Sequence, residues 1–88
     1  MYRIQVSRKP LKFLRTLPDS YKNAIKIRLK QLEENPIPYG SIHLIGMKNC
    51  FRLRVGPFRI QYQIIEEDKI ILVFKISRRD ETTYKSLL

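Results

Sequence analysis

Three arginines, Arg52, Arg54 and Arg59, occur within one short stretch in which apolar and polar residues alternate. The alternation runs on both sides of Gly56-Pro57, and this period predicts two half-buried strands joined by a turn. With a two-residue loop, Arg54 lies opposite Arg59, and all three arginines share one face of the hairpin. Like charges directly opposite each other destabilise a strand pair by up to about 1 kcal/mol. A hairpin that keeps three guanidiniums together, with no acid among residues 50–62, is therefore predicted to contact a polyanion.

A guanidinium is a suitable partner for a phosphate group because it stays charged and can bind two oxygens at once. It can also stabilise the negative charge that develops on a phosphate during cleavage. Further candidates follow near the C-terminus, namely Arg78 or Arg79, and Tyr84, whose ring could stack on a base. RNA supplies its own nucleophile, the 2′-hydroxyl, so this chemistry requires no metal. The residue types alone leave open whether the patch cleaves RNA, only binds it, or is a solvated sheet face whose arginines pair with acids.

Several other kinds of active site are excluded by the residues that the chain lacks. His43 is the one histidine, which rules out the two-histidine acid–base pair of many ribonucleases. The acids have no spacing typical of a two-metal nuclease, and no group of histidines and cysteines suits zinc. No glycine-rich loop is present to hold a nucleotide phosphate. We therefore expect neither a metal nor another cofactor.

Length and charge limit the kinds of partner. The 88 residues suffice for one domain, residues 1–88, and the net charge of +10 favours a nucleic acid or an acidic protein as partner. The single cysteine, Cys50, excludes an internal disulfide and is interpreted as a small apolar strand residue in a reducing compartment. No apolar run reaches the ~18 residues of a membrane span, and the N-terminus has no signal-peptide core. These features predict a cytoplasmic protein that makes no membrane contact.

Periodicity along the rest of the chain predicts an α+β fold. A strand over residues 2–6 is followed by a helix to about Leu17 and, after Pro18, by a second helix to about Asn35. Residues 36–49 contain prolines and glycines and are interpreted as a loop before the hairpin. The last strand, residues 70–76, is apolar on both sides, as expected for a central strand covered by helices.

Together these elements predict an antiparallel sheet of about four strands with the two N-terminal helices packed on one face. The polar tail after residue 78 is expected to begin a short C-terminal helix. If the turn after the hairpin has an odd number of residues, Lys75 and Ser77 join the arginines on the open face. The core face of the last strand then comprises Ile70, Leu72, Phe74 and Ile76.

The hairpin also resembles a motif of a known protein family. Residues 51–62, Phe-Arg-Leu-Arg-Val-Gly-Pro-Phe-Arg-Ile-Gln-Tyr, resemble the Tyr-Arg-Leu-Arg-Val-Gly-x-Tyr-Arg-Val-x-Tyr hairpin of the RelE/ParE toxin superfamily. The order of elements around it matches as well, so the resemblance covers nearly the whole chain and implies a RelE-like fold. Members resembling RelE cleave mRNA, mostly in the ribosomal A site, whereas the ParE branch poisons DNA gyrase. Both are held inactive by a small antitoxin encoded beside them.

The resemblance to RelE implies roles for the three hairpin arginines. Arg52 and Arg54 occupy positions where basic residues, often lysines, contact the RNA and help to activate the 2′-hydroxyl. Arg59 matches the arginine that stabilises the transition-state phosphate. The chain departs from the family pattern in having arginines at the two lysine positions, which makes an easily deprotonated base less available. It also has Pro57 in the turn, where a polar residue is usual.

The resemblance implies further roles near the C-terminus. Arg78 matches the basic residue that protonates the 5′-oxygen leaving group, with Arg79 as the alternative if the register slips, although many relatives have His-Arg there. Tyr84 matches the tyrosine that positions the substrate base. The residues expected to add general RNA binding are Arg79, Lys75 and Lys85.

The resemblance therefore predicts a toxin of a type II toxin–antitoxin system that cleaves mRNA at the ribosome without metal, leaving a 2′,3′-cyclic phosphate. Gyrase poisons generally lack the complete catalytic set, so its presence favours RNA cleavage. A ParE-like gyrase inhibitor and a non-catalytic basic RNA-binding module are the alternatives. The expected partner is an acidic, partly disordered, RelB-like antitoxin that wraps the helices and either blocks the arginines or displaces the tail around Tyr84.

Overall fold

Five strands and two helices make up the part of the chain that the structure, a computed structural model, describes, residues 1–79. In chain order they are β1 (Arg3–Val6), α1 (Arg8–Arg15), α2 (Asp19–Leu32), β2 (Ile42–His43), β3 (Cys50–Val55), β4 (Phe58–Ile65) and β5 (Ile70–Arg78). The strands form one sheet in the order β1–β5–β4–β3–β2. Neither of the two helices is long and apolar enough to cross a membrane.

The sheet is mixed rather than wholly antiparallel. β1 pairs with β5 in parallel, whereas β5, β4, β3 and β2 pair antiparallel in succession. The α+β class is confirmed, but the prediction of an antiparallel sheet of about four strands is wrong in two details. Pairing between the first and last strands cannot be read from local patterns, and β2, with two residues, is too short to show alternation. The predicted C-terminal helix falls outside the described residues.

Both helices pack on the same face of the sheet, as predicted. Pro10 lies in the first turn of α1, where a missing N–H breaks no intrahelical bond, and Pro18 separates the two helices. Ile25, Leu29 and Leu32 form the buried stripe of α2. The strand residues buried in the same core are Leu53, Phe58, Ile60, Tyr62, Ile64, Ile71, Val73 and Ile76. The apolar face of the hairpin is therefore the face that the helices cover.

The turn between β4 and β5 has four residues, 66–69, so Ile65 pairs with Ile70. The odd-numbered turn that would put Ile70, Leu72 and Phe74 on the core face is therefore not present. The even-numbered turn brings Ile71 and Val73 onto the core face, where both are fully buried, and turns Leu72 to the opposite face. The acidic run in this turn indicated where the strands separate but not how many residues the turn contains.

An extra residue in β5, Phe74, interrupts its ladder with β4 just beyond the Tyr62–Val73 pair. Such a β-bulge changes which residues face which side of the sheet after it. Beyond the bulge Ile76 is buried in the core and Lys75 lies on the opposite face, as predicted for these two residues. The bulge thus compensates for the even-numbered turn.

The hydroxyl of Tyr62 ties the segment after α2 to the centre of the sheet. The side chain is fully buried, and its hydroxyl donates a hydrogen bond of 2.7 Å to the carbonyl oxygen of Pro36. Burial raises the pKa of Tyr62 to about 12, so the hydroxyl stays protonated and remains a donor. Ser41 Oγ donates to the carbonyl oxygen of Pro38 at 2.7 Å, which closes the same segment on itself.

We expect Tyr62→Phe to lower the free energy of unfolding by about 1–2 kcal/mol, because it leaves the Pro36 carbonyl without its donor. Urea denaturation followed by circular dichroism measures the change. The matched control is Tyr39→Phe, which removes a hydroxyl from a fully exposed side chain and should change the stability little. Equal stabilities of the two variants would show that the bond contributes nothing.

A second polar group joins the N-terminus to the β4–β5 turn. Tyr2 donates its hydroxyl hydrogen to Glu66 Oε2 at 2.8 Å, and Lys69 Nζ donates to the other oxygen of the same carboxylate. The Lys69 ammonium also lies 5.1 Å from the centroid of the Tyr2 ring. The hydrogen bonds from Lys69 and Tyr2 hold the pKa of Glu66 below its usual value.

A carboxylate whose pKa is lowered in the folded state contributes stability above its unfolded pKa, and this contribution is lost as the pH falls through the folded pKa. We therefore expect Glu66→Gln to lower the melting temperature slightly at pH 7 and to have almost no effect at pH 2–3. Thermal melts across this pH range measure the difference. Glu67→Gln, which removes the same charge from the same turn, is the control. A difference between the two variants that does not depend on pH would contradict the prediction.

Candidate nucleic-acid interface

The candidate site lies on the side of the sheet away from the helices, and we call it the arginine face. Residues directly opposite each other in an antiparallel pair point to the same side of the sheet. Arg54 lies opposite Arg59 with Ser77 beyond it, and the next row contains Arg52, Gln61 and Lys75. The register predicted for the hairpin is the one observed. The arginine face thus comprises Arg52, Arg54, Arg59, Gln61, Lys75 and Ser77.

The cations of this face are not neutralised within residues 1–79. The ion pairs found in this part of the chain lie on α2 and in the β4–β5 turn, away from the face. Arg52 and Arg59 are half-buried, and the Nε atom of each is buried with no hydrogen-bond partner among the described residues. A buried donor without an acceptor costs about 1–3 kcal/mol. The interpretation of a solvated face whose arginines pair with acids therefore has no support among these residues.

The two candidates at the end of β5 are placed differently. Arg78 pairs with Phe58 on the side of the helices, and its guanidinium carbon lies 5.1 Å from the centroid of the buried Phe58 ring. The Arg79 N–H donates to the Pro57 carbonyl at 2.9 Å, which continues the ladder by one residue. Arg79 follows the last residue of β5, and continued alternation would put it on the side of Arg59. The structure therefore places Arg78 away from the three hairpin arginines, which leaves Arg79 as the candidate beside them.

The remaining predicted site residues, Tyr84 and Lys85, lie outside the described residues 1–79. Their assignments stay predictions.

One feature beside the arginine face was missed from the sequence. An apolar pocket with a volume of about 390 Å³ lies next to the row of Arg52. Its lining residues are Met47, Lys48, Cys50, Gln63, Leu72 and Phe74. The sequence feature that could have indicated the pocket is the last strand, which is apolar on both sides and was interpreted as covered by helices. Within residues 1–79 the helices cover only one side of it. Leu72 and Phe74 line the pocket on the other side.

Other reactive groups in the described part of the chain suit this face less well. No three side chains among His, Cys, Asp and Glu come together within residues 1–79 to form a metal site. Burial raises the pKa of the Cys50 thiol, which disfavours the thiolate that a nucleophile requires. The arrangement can bind a phosphate diester through several guanidiniums and stabilise additional negative charge on it.

Comparisons with known proteins identify the family of the chain. Residues 4–83 match the family model described as the ParE toxin of the type II toxin–antitoxin system parDE. The chain is 36% identical to a RelE1 protein of Methanocaldococcus jannaschii in an alignment of 88 positions that spans 97% of each protein. It is 26% identical to the mRNA interferase toxin RelE of Escherichia coli in an alignment of 83 positions that spans 92% of this chain and 86% of that protein.

A solved structure supports the fold as well. The RelE chain of the archaeal RelE–RelB complex from Pyrococcus horikoshii superimposes with a TM-score of 0.81 at 27% identity, and the alignment covers 91% of this chain and 97% of that one. The match of the family model extends over most of the sequence, and the similarity to the RelE1 protein extends over nearly all of it. The chain therefore belongs to the RelE/ParE superfamily of toxins from type II toxin–antitoxin systems, and its fold is RelE-like.

Proposed function

We propose that this toxin is a metal-independent endoribonuclease that cleaves mRNA at the ribosome, in the cytoplasm. The observation that carries the proposal is the cluster of three guanidiniums on one face of the sheet, two of which have a buried Nε–H with no acceptor among residues 1–79. A phosphate diester supplies acceptors and negative charge together. The relative in Escherichia coli that bears the name mRNA interferase supports the same activity.

The proposed reaction is an attack of the RNA 2′-oxygen on the adjacent phosphorus. The bond from the 2′-oxygen to phosphorus forms while the bond from phosphorus to the 5′-oxygen breaks, which yields a 2′,3′-cyclic phosphate and a 5′-hydroxyl. The proton of the 2′-hydroxyl passes to solvent water, since a guanidinium stays protonated and cannot accept it. A second proton is delivered to the 5′-oxygen by a basic side chain, which regains one from solvent. Arg59 and Arg52 donate to the non-bridging oxygens as charge builds on them, and Arg54 helps to activate the 2′-hydroxyl.

The side chain that protonates the leaving 5′-oxygen is proposed from the positions of the two candidates, Arg78 and Arg79. Arg78 is engaged with the Phe58 ring on the helix side, so Arg79, on the side of Arg59, is the better candidate to protonate the 5′-oxygen. Tyr84 is proposed to position the base by stacking. Lys75, on the arginine face, and Lys85 are proposed to contact the RNA backbone.

Inhibition by a partner protein is the second part of the proposal. The similar solved structure from Pyrococcus horikoshii is a complex of RelE with RelB, which supports an antitoxin partner for this chain. A net charge of +10 favours an acidic one, and a disordered segment that folds on binding can cover a large surface. We propose an acidic, RelB-like antitoxin that covers the arginine face or the tail beyond it.

A second candidate function is inhibition of DNA gyrase. The observation in its favour is that the matching family model is that of the ParE toxin. The arginine face is compatible with either polyanion, RNA or DNA, because guanidiniums contact the phosphate groups of both.

We expect the purified toxin, added to a translation reaction, to cut mRNA at defined positions, with fragments ending in a cyclic phosphate. Primer extension maps the cuts, and parallel reactions without ribosomes test the dependence on translation. If naked RNA is cut as well, that reaction is repeated in EDTA, and cleavage that vanishes there would contradict the metal-independent mechanism. Intact mRNA together with stalled gyrase–DNA complexes would establish the second candidate function instead.

We expect Arg59→Ala to lower the cleavage rate by roughly 10²- to 10³-fold, the usual scale for one donor to developing charge. Single-turnover cleavage of an mRNA fragment measures the rate, and Lys26→Ala, on the exposed side of α2, is the control with little expected loss. Arg79→Ala should lower the rate more than Arg78→Ala, which should mainly lower thermal stability by removing the contact with Phe58. Equal losses from all four variants would indicate diffuse electrostatic attraction and no defined site.

A further inference from the structure

The apolar pocket continues the arginine face along the strands. Cys50, Gln63 and Leu72 form the row of paired residues next to the row of Arg52. Rows on one face of a strand are separated by two residues, or about 7 Å. The pocket therefore begins about 7 Å from Arg52 and about twice as far from Arg54.

The β-bulge places an aromatic and a basic side chain next to each other where the pocket meets the arginine face. Because two residues of β5 stand beside the single residue Gln61 of β4, the Phe74 side chain lines the pocket while Lys75 joins the arginine face directly after it. β-bulges commonly re-aim side chains next to functional sites. An aromatic ring and a cation are thus held side by side by the backbone.

We propose that the apolar pocket binds one unstacked base of a single-stranded RNA whose neighbouring phosphates lie on the arginine face. Single-stranded RNA is recognised by stacking of splayed bases on aromatic side chains and by hydrogen bonds to base edges. Phe74 provides the ring, and the amide of Gln63 provides both a donor and an acceptor for a base edge. The inference rests on the proposed function in that it takes RNA as the ligand of the arginine face.

The composition of the pocket favours a base over an apolar side chain of a protein partner. An aliphatic side chain seated there would cover the Gln63 amide without satisfying it, which is unfavourable. A base satisfies that amide and stacks on Phe74, while its ribose and phosphates extend toward Arg52 and Lys75. The pocket accordingly determines which base is preferred beside the bound phosphates.

Binding of uncleavable tetranucleotides to the full chain tests the proposal. The strands carry 2′-fluoro groups in place of the nucleophile, and a series replaces one base at a time by an abasic residue. Fluorescence anisotropy should show one position at which the abasic residue weakens binding by about 5- to 150-fold, the range for loss of one stacked base. Phe74→Leu, which keeps the pocket apolar, should abolish this penalty, and a thermal melt checks that the variant is folded.

Gln63→Leu tests the hydrogen bonds separately. With the four bases placed in turn at the sensitive position, Gln63→Leu should change the order of affinities. The matched control Gln31→Leu, on the exposed side of α2 and away from the pocket, should preserve it. An abasic penalty that is the same in Phe74→Leu and the unaltered chain overturns the proposal. So does a Phe74→Leu variant that loses binding of a protein partner but binds every strand normally, or the absence of RNA binding altogether.

Measuring RNA binding and RNA cleavage separately distinguishes this inference from the proposed function. Base-dependent binding that requires Phe74, without any cleavage of natural RNA, would overturn the ribonuclease and retain the pocket. Cleavage of natural RNA without coupling between Phe74 and a base would overturn the pocket alone.

Discussion

The pairing of β4 with β5 is the constraint on which the division of the sheet into two faces depends. Without the extra residue Phe74, the even-numbered turn would place Lys75 opposite Ile60, in the fully buried core. Burying an unpaired ammonium there would cost far more than one irregular ladder position. The bulge lets Ile76 enter the core and leaves Lys75 on the arginine face, so one local irregularity serves both packing and charge.

The arginine face is held at a cost in stability. Arg54 lies directly opposite Arg59, and like charges in that position destabilise a strand pair. Two buried Nε–H groups that find no acceptor in the described part of the chain add to the cost. A domain of 88 residues has little free energy of unfolding to lose. Unfavourable arrangements of charges and donors are expected at functional sites, where a ligand supplies the missing opposite charges and acceptors.

The opposite side of β4 gives the arginine face a rigid support. Arg59 lies between Phe58 and Ile60, both of which are almost fully buried. The Phe58 ring makes edge contacts with Phe13 and Tyr21, with centroid distances of 6.0 and 5.2 Å. Packing of this kind fixes the backbone that carries Arg59. A donor whose position is fixed before the ligand arrives stabilises developing charge without reorganisation.

Family membership narrows the chemistry but does not choose between its branches. The matching family model is that of the ParE toxin, while the similar proteins bear the name RelE. Both descriptions fit a small basic toxin, since the fold supports more than one activity. The choice depends on the side chains of the arginine face and on the residues that approach it from the end of β5.

Features that depend on local alternation could be predicted from the sequence alone. The register around Gly56-Pro57 and the common face of Arg52, Arg54 and Arg59 follow from a two-residue turn and a period of two, and the structure has both. The two helices follow from apolar spacing and from Pro18. Features that join distant segments were decided only by the tertiary structure. The parallel pairing of β1 with β5, the bulge at Phe74 and the apolar pocket arise from contacts between strands, and no single segment encodes them. The same reason applies to Arg78 and Arg79, because which of them faces Arg59 depends on how β5 aligns with β4.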